Sequence, residues 1–352
     1  MFLWDELRGL PRPILIYGMG NGADKILALC REYGISITGM FSSDTHAREG
    51  MFQGCPVLSR TKALELYPNA MILLGFGTER PDEVADLLEL AERHPMRIPD
   101  TPLLGGTILT PDDLTARQTE IQQVSDLWAD EKSRQLFRSL LEAKLSGDPK
   151  ALMANTSPRS ELLELLHLGP EESYLDLGAY RGDTIEEFLS LAQGSYRQIT
   201  ALEPDAHNYK KLQEAWGNSD RVTLLPYASW NAQTTLEFTG KGGRNCSKKP
   251  DLPGKYAHLH PVNAIPVDEL GLDVSYVKMD VEGSEAETLQ GMTETIRRCK
   301  PKMLVSAYHK PDDFITLPRL IQTICADYRL YLRRSHCIPA WEIQICAIPD
   351  FD

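Results

Sequence analysis

Apolar runs that end in glycine and are followed by helically spaced stretches recur along the chain. Residues 13–19 (PILIYGM) read as a buried strand, Gly18, Gly20 and Gly22 as a tight turn, and ADKILALCREYG as the helix that follows. SITGMFSSD reads as a second strand, GCPVLSR (54–60) leads into a short helix KALELYP, and AMILLGFG (70–77) repeats the strand-then-glycine pattern before a helix from about Pro81 to His94. Strands alternating with helices build a parallel sheet. Residues 1–105 are therefore expected to form a small Rossmann-like domain. The pattern then turns helical over 111–167. Pro111 followed by Asp112 and Asp113 suits a helix start, because proline fits the first turn and acids favour the positive dipole end. The leucines with Trp128, Phe137 and Leu141 fall at helical spacing, so 106–170 reads as a helical connector packed against a neighbour. From Ser173 onward the strands return as YLDLGA, QITALEP, RVTLLPYAS, VSYVKMDV, PKMLVSAY, YRLYLRR and WEIQICAIP. The last two are joined by SHCIPA and should form an antiparallel hairpin. The expected fold class is α/β, with the larger sheet in residues 171–352.

Within that second unit, YLDLGAYRGDT (174–184) puts an apolar strand ending in Asp176 ahead of a GxxxG turn (Gly178, Gly182) and a helix starting near Asp183 and Thr184. A second strand ends in Glu203, 25 residues after Gly178. This is the order of parts in a Rossmann-like crevice, where glycines let backbone pass close to a ligand and an acid accepts ribose hydroxyls. A dinucleotide fingerprint would need GxGxxG, so the turn suits a ligand carrying ribose but no phosphate there. S-adenosylmethionine is such a ligand. The blocks LDLGAYRGDT (175–184), LEPDAHNYKKL (202–212), VDEL (267–270), YVKMDVEGSEAETLQG (276–291), KPKMLVSAYHKPDDF (300–314) and YRLYLRR (328–334) together resemble the FkbM-type S-adenosylmethionine-dependent methyltransferases. The resemblance covers about half the chain and implies a seven-stranded methyltransferase sheet closed by a hairpin, and O-methylation of a sugar or secondary metabolite. Ligands belong at the carboxyl ends of such strands. The expected cofactor contacts are Asp176, Gly178, Ala179, Tyr180, Gly182, Asp183, Thr184, Glu203, Pro204, Ala228, Ser229 and Asp280.

Methyl transfer from a sulfonium asks the protein to align donor and acceptor and to remove the acceptor's proton. Lys278, Asp280 and Glu282 share a face if their strand persists, and His309 follows the next strand, so these four are the expected catalytic residues. His309 is favoured as the base, having the ordinary pKa best suited to that role. Asp280 and Glu282 suggest a cation, but no further acidic set completes a metal site, and none is expected. His258 and His260 read as a solvated loop pair without a third ligand.

The formal charge of −13 over 352 residues argues against a nucleic-acid partner, which needs clustered cations. Against that background residues 240–260 hold Lys241, Arg244, Lys248, Lys249 and Lys255 beside the single acid Asp251. Read as a loop on the rim of the crevice, this segment is expected to bind an anionic small-molecule acceptor through Arg244, Lys248 and Lys249. Seven scattered cysteines without a CxxC, a charged N-terminus and no 18-residue apolar run point to a soluble cytoplasmic protein. The N-terminal GMGNGAD turn, with Asp44 as a ribose acid, resembles nucleotide-sugar-binding units. The alternative to ligand binding there is a docking or homodimerisation scaffold. A nucleotide-sugar-binding module whose second domain binds S-adenosylmethionine but is non-catalytic is thus the competing functional reading, and a nicotinamide-dependent oxidoreductase is a third.

Overall fold

The computed structural model describes residues 1–46, 50–104, 107–239, 247–248 and 259–350. After a short helix α1 (Leu3–Arg8), the chain builds a six-stranded sheet from β1 (Ile14–Tyr17), β2 (Gly39–Ser42), β3 (Gly50–Phe52), β4 (Cys55–Ser59), β5 (Met71–Leu74) and β6 (Met96–Arg97). Their order is β3-β4-β2-β1-β5-β6, parallel except for the β3–β4 pair. Helices α2 (Asn21–Glu32), α3 (Arg60–Leu66) and α4 (Pro81–Arg93) make the crossovers. Both faces of β1 are covered: Ile14 and Ile16 pack with Trp4 and Ile26, while Leu15 and Tyr17 face the core that holds Leu87 and Leu90. A strand buried on both sides needs an unbroken apolar run, as PILIY supplies.

The middle segment forms α5 (Pro111–Ala116), α6 (Gln118–Leu127), α7 (Glu131–Ser146), α8 (Pro149–Met153) and α9 (Arg159–Leu166). Thr110 caps α5 in a reciprocal box with Asp113. These helices are packed between the two sheets. Trp128, Leu136, Phe137 and Leu140 join one core with Ile72 and Leu90 on one side and Leu330 and Leu332 on the other. Arg333, also buried, pairs with Asp130 at 2.5 Å and Glu161 at 3.0 Å, tying the connector to the last hairpin.

The second large sheet contains β7 (Ser173–Leu177), β8 (Gln198–Leu202) and β9 (Val222–Leu225). The chain then leaves it for a separate four-stranded sheet of β10 (Ala228–Ser229), β11 (Thr234–Thr239), β12 (Ser247–Lys248) and β13 (Leu259–Ile265). It returns with β14 (Tyr276–Met279), β15 (Lys302–Ser306), β16 (Tyr328–Arg334) and β17 (Ile343–Pro349), giving the order β16-β17-β15-β14-β7-β8-β9. β17 runs antiparallel to both neighbours, the expected hairpin. Helices α10 (Asp183–Leu191), α11 (Ala206–Trp216), α12 (Glu285–Gln290), α13 (Thr293–Cys299) and α14 (Asp313–Ile324) complete the layers. RVTLLPYAS is not one strand. It breaks at Pro226 and Tyr227, and Ala228 and Ser229 pair instead with Ala264 and Ile265. Nor is 240–260 all loop: Ser247 and Lys248 pair with β11, and His260 lies on β13 opposite Phe238. No helix among the described residues is long and apolar enough to cross a membrane.

Candidate functional site

A single cavity of about 1320 Å³ opens at the carboxyl ends of β7, β8, β14 and β15 and extends to the loop after β5. The glycine turn forms its floor. Gly178 has φ +80°, and a Cβ there would lie 1.9 Å from the Asp280 carbonyl oxygen, so the β7 and β14 turns pass too closely for any side chain. Gly182 (φ +95°) is the cap position just before α10, and a Cβ there would lie 2.3 Å from Trp216 Nε1. Asp183 is the first residue of α10 and not its cap. Thr184 Oγ1 donates to Asp176 Oδ2, fixing a carboxylate that is wholly buried. Ala179 is fully buried as well.

Glu203 closes the turn. Its Oε2 accepts from Tyr180 N at 2.8 Å and its Oε1 from Asp205 N at 2.9 Å. An ionised carboxylate has about four acceptor sites, so two backbone bonds leave capacity facing the cavity that Glu203 lines. Burial pushes the Glu203 carboxyl up to about 7, helped by Asp205 and opposed by its two backbone donors and Lys278. Pro204, Tyr180, Asp183, Thr184, Ala228 and Ser229 line the same cavity. Asp205 caps α11 through His207 N and Asn208 N, and His260 Nε2 approaches its Oδ2 to 3.7 Å. His260 is therefore a strand residue beside an acid, not half of a solvated loop pair. His258 lies outside the described residues.

At the other end stand Asp280, Glu282 and His309. The strand alternation expected for Lys278, Asp280 and Glu282 stops at Met279, and Glu282 adopts φ +52° in the turn before α12. Lys278 points under the glycine turn, donating to Gly178 O at 2.8 Å and lying 3.5 Å from Asp176 Oδ1. Burial opposes its charge, but Asp176, Asp280 and Asp183 outweigh that and hold its pKa above the ordinary lysine value. The geometry makes it a positioning residue.

His309 is 3% exposed. Its Nδ1 lies 2.8 Å from Glu285 Oε1, and its Nε2 lies 3.4 Å from Asp280 Oδ1 and 3.5 Å from Glu282 Oε2. Burial disfavours the imidazolium, but Glu285, Asp280 and Glu282 overcome it and push the pKa up to about 10. The expectation of His309 as a base near neutrality therefore needs correction. Three carboxylates surround the ring, Glu285 at Nδ1 and Asp280 and Glu282 at Nε2. Burial pushes Glu282 up to about 8, opposed by His309 and reinforced by Asp280 and Glu285. Glu285, the first residue of α12, was missed as a site residue: its position in GSEAET reads as an ordinary first-turn helix acid.

The amino-terminal sheet supplies the facing wall. Gly75 to Arg80 line the cavity, and Thr78 pairs through both backbone groups with Ile338 in the tail segment SHCIPAW. His336 and Trp341 from that tail also line it. In the GMGNGAD turn, Gly22 is accounted for by packing, since a Cβ would lie 2.4 Å from Gly75 O. Lys25 donates to the carbonyls of Pro102 and Leu103. Asp44 accepts from Thr61 N and Oγ1 in the first turn of α3 and lies outside the cavity lining. Among the proposed acceptor-binding cations, Arg244 and Lys249 lie outside the described residues, and Lys248 is placed only as a strand residue of β12.

Comparison with known proteins adds the following. Residues 176–336 match the model of the methyltransferase FkbM domain. The fold of the whole chain is similar to that of the methyltransferase FkbM from Methylobacillus flagellatus KT, with a TM-score of 0.73 at 20% identity over 97% of this chain and 91% of that one. A precorrin-6y C5,15-methyltransferase from Geobacter metallireducens GS-15 covers 54% of this chain and 87% of its own at 14% identity, with a TM-score of 0.34. An Aeropyrum pernix fibrillarin with natively bound S-adenosyl-L-methionine covers 54% and 74% at 11% identity, also with a TM-score of 0.34. At those two scores the likeness carries nothing further. No curated protein matches the chain in sequence.

Proposed function

We propose, for a chain whose residues 176–336 match the model of the methyltransferase FkbM domain, transfer of a methyl group from S-adenosylmethionine to a hydroxyl of a small-molecule acceptor, a sugar or secondary metabolite. The observation that carries this reading is the single cavity holding the Gly178 turn and Glu203 at one end and Asp280, Glu282 and His309 at the other. Its volume of about 1320 Å³ exceeds the roughly 300–1,000 Å³ of ordinary one-ligand pockets, leaving room for donor and acceptor together.

The residues present fit the cofactor. Gly178 lets the β7 turn pass directly over the Asp280 carbonyl at the cavity floor, and Glu203 keeps free acceptor capacity for two ribose hydroxyls after binding two backbone donors. When bound, S-adenosylmethionine supplies an electrophilic methyl on a sulfonium that needs no activation. The remaining work falls to the chain. Tyr180, Asp183, Pro204, Ala228 and Ser229 enclose the cofactor end, and Lys278 holds the turn in place through Gly178 O. Glu282, which lines the cavity with Oε2 3.5 Å from His309 Nε2, takes up the acceptor's hydroxyl proton. The wall from Gly75 to Arg80 and the tail residues His336 and Trp341 select the acceptor. Arg244, Lys248 and Lys249 remain the proposed contacts for an acceptor's anionic group.

Transfer of a labelled methyl from S-adenosylmethionine into fractionated hydroxylated metabolites tests the reading. Glu282→Gln is expected to lower transfer about 10²- to 10⁴-fold, the usual contribution of a positioned base. Undiminished transfer by that variant would remove Glu282 from the mechanism.

A pH dependence follows from Glu203. Its folded pKa of about 7 lies above the ordinary carboxyl value, so its contribution to folding is present at low pH and lost as pH rises through 7. Cofactor binding has the opposite sign, because only the ionised form offers acceptors to both ribose hydroxyls while holding both backbone N–H groups. Affinity for S-adenosylmethionine should fall about fivefold between pH 7 and pH 6, because a carboxyl with a pKa of about 7 goes from half ionised to about one-eleventh ionised. Calorimetry at several pH values checks this, with Glu203→Gln expected to show a flat profile.

A further inference from the structure

We propose that Asp280, Glu285 and His309 hold a divalent cation, Mg²⁺ or Mn²⁺, at the acceptor end of the cavity. The role given to that cation rests on the reading of the cavity as a methyl-transfer site; the binding itself does not. One ligand atom from each of the three residues falls within 4.8 Å of the others. Donor atoms around an octahedral ion at about 2.1 Å lie roughly 3–4 Å apart. Rotation of the Asp280 carboxylate, a third exposed, supplies the small contraction needed.

Within the cluster His309 Nδ1 meets Glu285 Oε1 at 2.8 Å and its Nε2 faces Asp280 Oδ1 at 3.4 Å, whereas the buried Glu285 Oε2 has no hydrogen-bond partner. Glu285 is almost wholly enclosed, at 1% exposure. Buried polar atoms are normally satisfied, and a group left without a partner points to a missing ion or water. Glu285 is held for the task. Its Oε1 accepts from Val281 N at 3.2 Å and Gly283 N at 3.3 Å, which leaves Oε2 as the free donor atom.

Charge points the same way. Asp280, Glu282, Glu285, Asp313 and Glu342 all act electrostatically on one another or on His309. The nearby cations are already engaged, Lys278 with Asp176 and Gly178 O and Lys310 with Glu287 at 3.5 Å. The two carboxylates suit a hard cation such as Mg²⁺ or Mn²⁺ and the imidazole favours the transition metal Mn²⁺, while three protein ligands leave positions for an acceptor oxygen. An oxygen bound there has its charge stabilised as the proton leaves toward Glu282.

The test is a titration of the full-length, chelator-stripped protein with Mn²⁺, followed by electron paramagnetic resonance. One bound equivalent is expected, with at least tenfold weaker binding in Glu285→Gln. Spin-echo modulation from an imidazole nitrogen in the unmodified protein gives a readout that needs no variant. Failure to bind at millimolar Mn²⁺, absence of the nitrogen modulation, or undiminished binding in Glu285→Gln would overturn the proposal. Titration of the same unmodified sample with S-adenosylmethionine separates the two ideas, since cofactor binding without Mn²⁺ binding sinks the cation alone.

Discussion

Glu203→Ala should weaken binding of S-adenosylmethionine about 100-fold or more. The proposed role of the Glu203 carboxylate is to receive two ribose hydroxyls, and hydrogen bonds to a charged group are worth roughly 1.5–3 kcal/mol each. A loss of about 3 kcal/mol is a factor of about 100 in affinity. The same substitution strips partners from Tyr180 N and Asp205 N, which the carboxylate joins across the crevice. Glu203→Gln keeps the shape and one acceptor oxygen, so a smaller loss of about tenfold is expected. Isothermal calorimetry on the three proteins measures the series. Equal affinities would place the ribose elsewhere.

The second large effect is on the fold around the cofactor turn. Gly178→Ala would put a methyl 1.9 Å from Asp280 O and 2.9 Å from Asp280 C, in a residue whose φ of +80° already disfavours a side chain. The left-handed conformation alone costs about 1–2 kcal/mol, and the backbone displacement adds a similar amount. A total near 3 kcal/mol should lower the melting temperature by about 5–10 °C. Cofactor affinity should fall with it, because the turn between β7 and α10 must move away from the end of β14. Gly194→Ala is the matched control. It also has positive φ (+75°) but nothing within 4 Å of its Cβ, so only the conformational part of the penalty should remain. Equal melting temperatures for the two variants would show that the close approach to Asp280 does not matter.

The sequence disclosed most where one element carries the whole signal. The β7 turn, Glu203 and the closing hairpin were legible because strand, glycine and acid follow one another at fixed spacing. Short pieces were hidden. β6 spans only Met96–Arg97 and β3 only Gly50–Phe52, too few residues to display a period. The break in RVTLLPYAS was available in principle, since Pro226 has no N–H for a ladder and marks where a strand can leave its sheet. What the sequence could not supply was the set of carboxylates around His309. That depends on Glu285 folding back from α12 to meet a ring delivered by β15, a long-range contact without a local pattern. The packing of α6 and α7 between two sheets was half legible, since Trp128 and Phe137 marked a buried face but not its two partners.

Titration of the purified full-length protein with S-adenosylmethionine addresses the central claim most directly. Binding of one equivalent with a micromolar dissociation constant, displaced by S-adenosylhomocysteine, is the result this account predicts. No heat and no change in melting temperature at millimolar cofactor would contradict it, and would leave the Gly178 turn and Glu203 as a structural strand-to-helix junction.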